Sequence, residues 1–189
     1  MNLAVAGFRH SHVYTLIKWA REQGLNIIAA YEKDKESIFE AQSEGIKITH
    51  TDYNEMLNDK DIDIVAIADY YSARGNMVIN ALRAGKHVIA DKPLCTSLEE
   101  LDTIEKLSAE NGLRIGLMLD LRYMAASIAA HDFIRSGGLG RVNNISFGGQ
   151  HALNYGVRPA WYFEEGKQGG TINDLAIHGI DLVRYITGL

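Results

Sequence analysis

Two stretches of this chain combine residue types that can hold a negative charge and move a proton. Asp91-Lys92-Pro93 follows directly on the short apolar run His87–Ala90. Such a run reads as a buried strand, and in an open parallel sheet ligands collect beyond the carboxyl ends of the strands, so the Lys92 ammonium points toward a site. Pro93 fixes its own φ and biases Lys92 toward extended backbone. Further on, Asp174 and His178 stand i,i+4 in a helical stretch and share a face. A carboxylate beside an imidazole can orient it, select its tautomer and stabilise its charged form. Each pair taken alone has a plainer reading, a turn lysine and a surface ion pair; Asp181 with Arg184 reads as such a pair. His178 stands apart because it lies in the apolar stretch Leu175 to Ile180, after the Gly169-Gly170 turn.

A third stretch, Gly7-Phe8-Arg9-His10-Ser11-His12, lies between a strand pattern and a helix pattern. A dinucleotide fingerprint asks for Gly-x-Gly-x-x-Gly, and here the first glycine alone is present. The context fits nonetheless: a strand, a tight turn at Gly7, a helix, and an acidic residue, Glu32, at the end of the next strand. A carboxylate there can accept both adenosine ribose hydroxyls. Arg9 replaces the glycine that lets backbone approach a pyrophosphate, so its guanidinium either binds phosphate oxygens or obstructs the site. A nucleotide-free α/β domain explains this turn nearly as well.

These residues need a scaffold, and the pattern supplies one. Strands are expected at Leu3–Ala6, Asn26–Ala30, Ile46–Ile48, Ile62–Ala68, His87–Ala90 and Arg114–Met118. Helices are expected at His12–Gln23, Asp34–Ser43, Asp52–Leu57, Ser72–Ala84 and Ser97–Asn111, with Asp34, Asp52 and Ser97 as N-caps. Six strands separated by helices specify a doubly wound α/β sheet over residues 1–118. The pattern then changes. A helix at 122–137, an alternating run Arg141–His151 of antiparallel character, and a helix Thr171–Thr187 look like the start of an α+β domain over 119–189, with its sheet unfinished.

Composition narrows the partners. The formal charge is −5 with no basic face concentrated anywhere, which argues against nucleic acid. No run approaches the ~18 apolar residues of a membrane span, and the N-terminus does not read as a signal peptide. The single cysteine, Cys95, has neither an internal disulfide partner nor a second ligand at metal spacing. A cytoplasmic protein without a metal site is the expectation.

In order along the chain, Gly7, Glu32, Ala68, Gly85-Lys86-His87-Val88, Asp91-Lys92-Pro93-Leu94, Gly169-Gly170 and Asp174-x-x-x-His178-x-x-Asp181 resemble the Gfo/Idh/MocA oxidoreductases. That family includes inositol and sugar dehydrogenases and glucose–fructose oxidoreductase. The resemblance implies an N-terminal Rossmann domain, and a C-terminal domain whose open sheet often forms homo-oligomers in complete members. It places catalysis on Lys92, Asp174 and His178. Contacts to NAD, with NADP disfavoured by Glu32, would come from Gly7, Phe8, Arg9, His10, Glu32, Lys33, Ala68, Asp69, Tyr70, Asp91 and Lys92. Substrate contacts would come from Arg122, Tyr123, Trp161 and His178. Departures from the family pattern are Asp120 in place of Asn, Ala68-Asp69-Tyr70 in place of Ala-Thr-Pro, and Arg74 where a histidine is usual. They bear on cofactor-phosphate contacts and substrate choice, and family members typically continue well beyond Leu189. The activity implied is oxidation of a secondary hydroxyl on a sugar or cyclitol. An NAD-dependent glycosidase of the same family and a non-catalytic NAD-binding chain are the alternatives.

Overall fold

The computed structural model describes residues 1–149 and 151–188. Five strands form one parallel sheet in the order β2-β1-β3-β4-β5: β1 is Asn2–Ala6, β2 Asn26–Tyr31, β3 Ile64–Ile67, β4 His87–Asp91 and β5 Ile115–Met118. The order reverses between β1 and β3, so the crevice above that pair is the topological switch point where ligands of such sheets bind. The turns after β1 and β3 flank it.

Alternation along the strands explains why the sheet is covered on both sides. Leu3 and Val5 face one layer with Ile64 and Ala66, and Ala4 and Ala6 face the other with Val65 and Ile67. The first layer is closed by α1 (His12–Glu22) through Val13, Leu16, Ile17 and Ala20, and by α2 (Lys35–Ser43) through Ala41. The second is closed by α3 (Tyr53–Leu57), α4 (Tyr71–Arg83) and α5 (Leu98–Asn111), with Met56, Val78, Leu82 and Ile104 at its centre. Each fully buried aliphatic side chain of this kind contributes roughly 1.5–3 kcal/mol.

The three expected caps are present. Asp34 accepts from the Ser37 N–H, Asp52 from the Glu55 N–H and Ser97 from the Glu100 N–H. Glu100 in turn accepts from the Thr96 N–H at 3.3 Å, one residue before the cap.

Three expectations change. Ile46–Ile48 is no strand: Ile46 is buried, but the segment meets the sheet through one parallel bridge, Tyr31 to His50, and through Thr49 and His50 on the Ala30 carbonyl. Three residues leaving the Gly45 turn are too few to build a ladder. The run Arg141–His151, apart from Gln150, which lies outside the described residues, forms no strand either. Among the described residues no neighbouring strand pairs with it, and the Phe147 ring lies instead against Gly179. The helix at 171–187 is not uniformly α. Ile172–Ala176 is a π turn, and α7 begins at Ile177 and runs to Thr187. Helix α6 (Ala125–Arg135) packs against α7, with His131 stacked on Tyr185 at 4.6 Å.

Candidate active site

The turn after β1 is tight for a steric reason. Gly7 has φ +84°, and a Cβ there would sit 2.7 Å from Cβ and N of Asp69, in the turn after β3. Only glycine allows the two turns to approach this closely. Beyond Gly7 the chain opens a cleft of about 880 Å³, lined by Phe8, Arg9, His10, His12, Lys92 and Asp174 among others. The N-terminal end of α1, at Ser11 and His12, lines this region, a favourable end for anionic groups.

Glu32 follows β2 directly. Its carboxylate is fully buried and accepts from the backbone N–H groups of Phe8 (2.7 Å), Lys33 (2.8 Å) and Asp34 (2.9 Å). Arg9 lies over it, 3.7 Å from Glu32 Oε1 and 3.5 Å from Asp69 Oδ1, with its guanidinium above the Tyr70 ring. Arg9 thus covers the Glu32 carboxylate. Lys33 is exposed, and Ala68 is buried beneath the second turn.

Across the sheet, β4 delivers Asp91 and Lys92, joined to Pro93 by a cis peptide. Lys92 is 5% exposed and Asp174 2%. The Lys92 ammonium donates to Asp174 Oδ1 at 2.7 Å and to the Asp174 carbonyl at 2.8 Å. The Tyr71 hydroxyl donates to Oδ1 at 2.8 Å and the Tyr162 hydroxyl to Oδ2 at 2.5 Å. Burial would raise the Asp174 carboxyl, but Lys92 and the two phenols outweigh it and hold its pKa at about 2. Burial, reinforced by Asp174, pushes the Tyr71 phenol well up.

This arrangement corrects one expectation. Asp174 was to orient the His178 imidazole, and its contacts go instead to Lys92, Tyr71 and Tyr162. His178 Nδ1 is buried without a hydrogen-bond partner. The π turn is the physical reason: the wider turn rotates residues on either side away from the i,i+4 alignment of an α-helix. Burial first, and the Lys92 charge second, lower the His178 pKa, which favours the neutral form of the ring.

Beneath Lys92 lies Arg74, wholly buried. Its guanidinium donates to Asp91 Oδ2 (2.8 Å), to the Asp69 carbonyl (2.7 Å) and to the Lys92 carbonyl. Asp91 also accepts from the Lys92 N–H and stands beside His10 and His12. Burial alone would raise the Asp91 carboxyl, but the two imidazoles and Arg74 hold it far below the usual range.

Of the expected substrate contacts, Trp161 reaches the cleft. Its indole N–H donates to the Arg9 carbonyl at 2.9 Å, and its ring meets Tyr71 edge-on at 5.2 Å. The other three, His178 among them, are not among the residues that line the cleft. The Arg122 guanidinium is taken by Asp181, the residue expected to pair with Arg184, and Tyr123 is 79% exposed on the turn Asp120–Tyr123. Reading from residue types also missed Tyr71, Tyr162 and Arg158, which line the site from distant parts of the chain. The one sequence signal for Tyr71 is its place at the start of the helix after β3.

Residues 1–119 match the family model described as the oxidoreductase family with NAD-binding Rossmann fold, and residues 128–189 match the GFO/IDH/MocA C-terminal domain. A levoglucosan dehydrogenase from Pseudarthrobacter phenanthrenivorans is 29% identical over 149 residues, 76% of this chain and 38% of that protein. The scyllo-inositol 2-dehydrogenase (NAD(+)) of Bacillus subtilis is 33% identical over 150 residues, 78% of this chain and 42% of that protein. The chain thus spans less than half the length of these curated relatives. The crystal structure of myo-inositol 2-dehydrogenase from Lactobacillus plantarum superposes on the whole of this chain and on 56% of its own, at TM-score 0.74 and 24% identity. Among the described residues no helix is long and apolar enough to cross a membrane.

Proposed function

The chain belongs to the GFO/IDH/MocA oxidoreductases, and from that premise we propose that it serves hydride transfer between NAD and a secondary hydroxyl of a sugar or cyclitol. The observation that carries this reading is the buried Lys92 ammonium, held at 2.7 Å by Asp174 in a cleft also lined by Phe8, Arg9 and His10 of the turn after β1 and by Asp34 after β2. The residues present fit a dinucleotide. The glycine turn, the N-terminus of α1 and the carboxylate after β2 occupy the places such a ligand uses. Gly7, Phe8, Arg9 and His10 would hold the phosphates, Glu32 and Lys33 the adenosine ribose, and Asp69, Tyr70 and Asp91 the nicotinamide side. When bound, the nicotinamide supplies the hydride acceptor.

The chain's own groups do the rest. His178, neutral and with Nδ1 buried and unpartnered, takes the hydroxyl proton. Lys92 stabilises the negative charge that builds on the substrate oxygen. Asp174 positions Lys92, and Tyr71 and Tyr162 fix Asp174. Trp161 closes the cleft over the first turn. General acid–base help of this kind is worth about 10²–10⁴-fold.

The test is nicotinamide reduction by the purified chain across a panel of inositols and aldopyranoses. Reduction with at least one polyol is expected, and Lys92→Met should remove it through kcat while leaving NAD affinity within a few-fold. Near-normal kcat in that variant would make Lys92 a turn residue. NAD binding without reduction of cofactor on any polyol would mark a nucleotide-binding chain lacking this activity.

A further inference from the structure

Among the described residues, four Lys or Arg side chains line the cleft: Arg9, Lys92, Arg158 and Lys167. Three of them stand against carboxylates, Arg9 with Glu32 and Asp69, Lys92 with Asp174, and Lys167 with Glu164. Arg158 pairs with no carboxylate among the described residues. Its Nη2 stands 2.5 Å from His151 Nδ1 and 3.4 Å from the Ala152 carbonyl, neither of which carries negative charge. Its Nε is buried without a hydrogen-bond partner. We propose that Arg158 receives a carboxylate of the substrate, so that the site takes an acidic sugar of the uronate type ahead of a neutral polyol. The inference rests on the reading of this cleft as a sugar site.

The guanidinium is positioned before any ligand arrives. Val157 and Arg158 each donate a backbone N–H to the Asn154 carbonyl at 3.0 Å, in a turn where Asn154 has φ +50°. The Arg158 charge then lies over the Tyr162 ring, 4.1 Å from its centroid, a contact that holds a cation without neutralising it. A buried donor without an acceptor costs free energy until one is supplied. The nitrogens of one guanidinium form a planar fork that a carboxylate engages with both oxygens. The exposed His151 ring, now on Nη2, is the group such a ligand displaces.

Tyr162 also sets the distance. Its ring carries Arg158, its hydroxyl donates to Asp174 Oδ2 at 2.5 Å, and Asp174 Oδ1 holds Lys92 at 2.7 Å. One phenol thus separates the guanidinium from the pair that holds the ammonium, and a phenol is comparable in length to a pyranose ring. A hydroxyl at Lys92 and a carboxylate on the far side of the same sugar ring would reach the two cations together. The carboxylate takes no part in the chemistry: the carbinol carbon gives hydride to NAD and the hydroxyl gives up its proton, as on a neutral sugar. Asp34, Glu36 and Glu40 also line the cleft and would repel an anion, but they belong to α2 and its cap, and none forms an ion pair with Arg158. A single unmatched positive charge suits a carboxylate better than a dianionic phosphate.

The experiment titrates D-glucuronate, D-galacturonate, D-glucose, D-galactose and D-glucose 6-phosphate into the full chain by calorimetry, with NAD present and without. NADH formation is followed on the same sugars. At least one uronate should bind about tenfold or more tightly than its neutral counterpart, and raising the ionic strength should weaken the acid alone. Arg158→Gln should bring the two to within about twofold of each other, and Arg158→Lys should keep part of the gap. The comparison in the unmutated chain requires no variant to fold. Equal binding of uronates and neutral sugars, a gap that survives in folded Arg158→Gln, tighter binding of the phosphate than of either uronate, or no binding of any acid would overturn the inference. Preference for a uronate with no NADH from any sugar would leave the carboxylate site standing and remove the hydride reading. NADH from the neutral sugars alone would do the reverse.

Discussion

Replacing Lys92 by Met is the perturbation whose consequence the structure defines most closely. The ammonium makes two contacts to Asp174, one to the carbonyl and one to Oδ1. A hydrogen bond involving a charged group contributes about 1.5–3 kcal/mol net, and removing one partner of a buried ion pair costs about 3–5 kcal/mol. Here Asp174 keeps the Tyr71 and Tyr162 hydroxyls, and the Met stem refills most of the lysine's volume, so the loss should be smaller, about 2–4 kcal/mol. Asp174→Asn in the same background removes the charge left behind and should recover part of that loss. The assay is urea unfolding of the wild type, both single variants and the double variant, analysed as a double-mutant cycle. Because the Asp174 pKa is depressed to about 2 in the folded chain, the stability tied to its ionised form is present above its unfolded value and is lost only as pH falls through about 2. The coupling should therefore be flat between about pH 5 and pH 8. A Lys92→Met variant within about 0.5 kcal/mol of wild type, with coupling near zero, would refute the account of a buried pair that holds the site together.

Gly7→Ala should cost more than the ~1–3 kcal/mol of a strained backbone, because its Cβ would also strike Asp69; a thermal melt should fall by about 2–4 °C for each kcal/mol, and an unchanged midpoint would contradict the close approach. Burial and Lys92 lower the His178 pKa, so the neutral base persists below pH 6.5 and kcat/KM for alcohol oxidation should be level above that value and fall only at lower pH; a pH–rate profile that declines already above about pH 7 would speak against His178 as the base. NAD should bind more tightly than NADP at matched salt, and Glu32→Gln should narrow the gap by removing repulsion of a 2′-phosphate. Tighter NADP binding by the unmutated chain would reverse the assignment of Glu32.

Much of the scaffold was readable from local chemistry. Asp34, Asp52 and Ser97 announce three helix starts because a cap is a contact across three residues. The apolar runs of β1, β3 and β4 announce buried strands for the same reason, since burial on both faces leaves no polar alternation. Ile46–Ile48 misled because a buried Ile46 satisfies the pattern of a strand without supplying the partner a ladder needs. The site was readable in membership more than in wiring. Lys92, Asp174 and Trp161 do gather at one cleft, but Asp174 serves Lys92 across 82 residues of sequence, a partnership that no spacing rule encodes. Assigning Asp174 to His178 assumed a regular α-helix, and the π turn at Ile172–Ala176 removes that assumption. Arg122 and Asp181 likewise meet only because α7 folds back over the turn at Asp120–Tyr123.

Arg74 has a mechanical consequence. One planar guanidinium grips the Asp69 carbonyl in the turn after β3 and the Lys92 carbonyl and Asp91 carboxylate at the end of β4. Loops of an α/β sheet usually drift separately, each on its own strand, and substitutions in one are absorbed there. These two are riveted. A change at Tyr70 that shifts the turn after β3 would be transmitted to Lys92 as a displacement of the same rigid plate, so a substitution selected at one loop would also move the other. Arg74 thereby makes the position of the Lys92 ammonium a property of two loops jointly, and the room for either to vary alone correspondingly small.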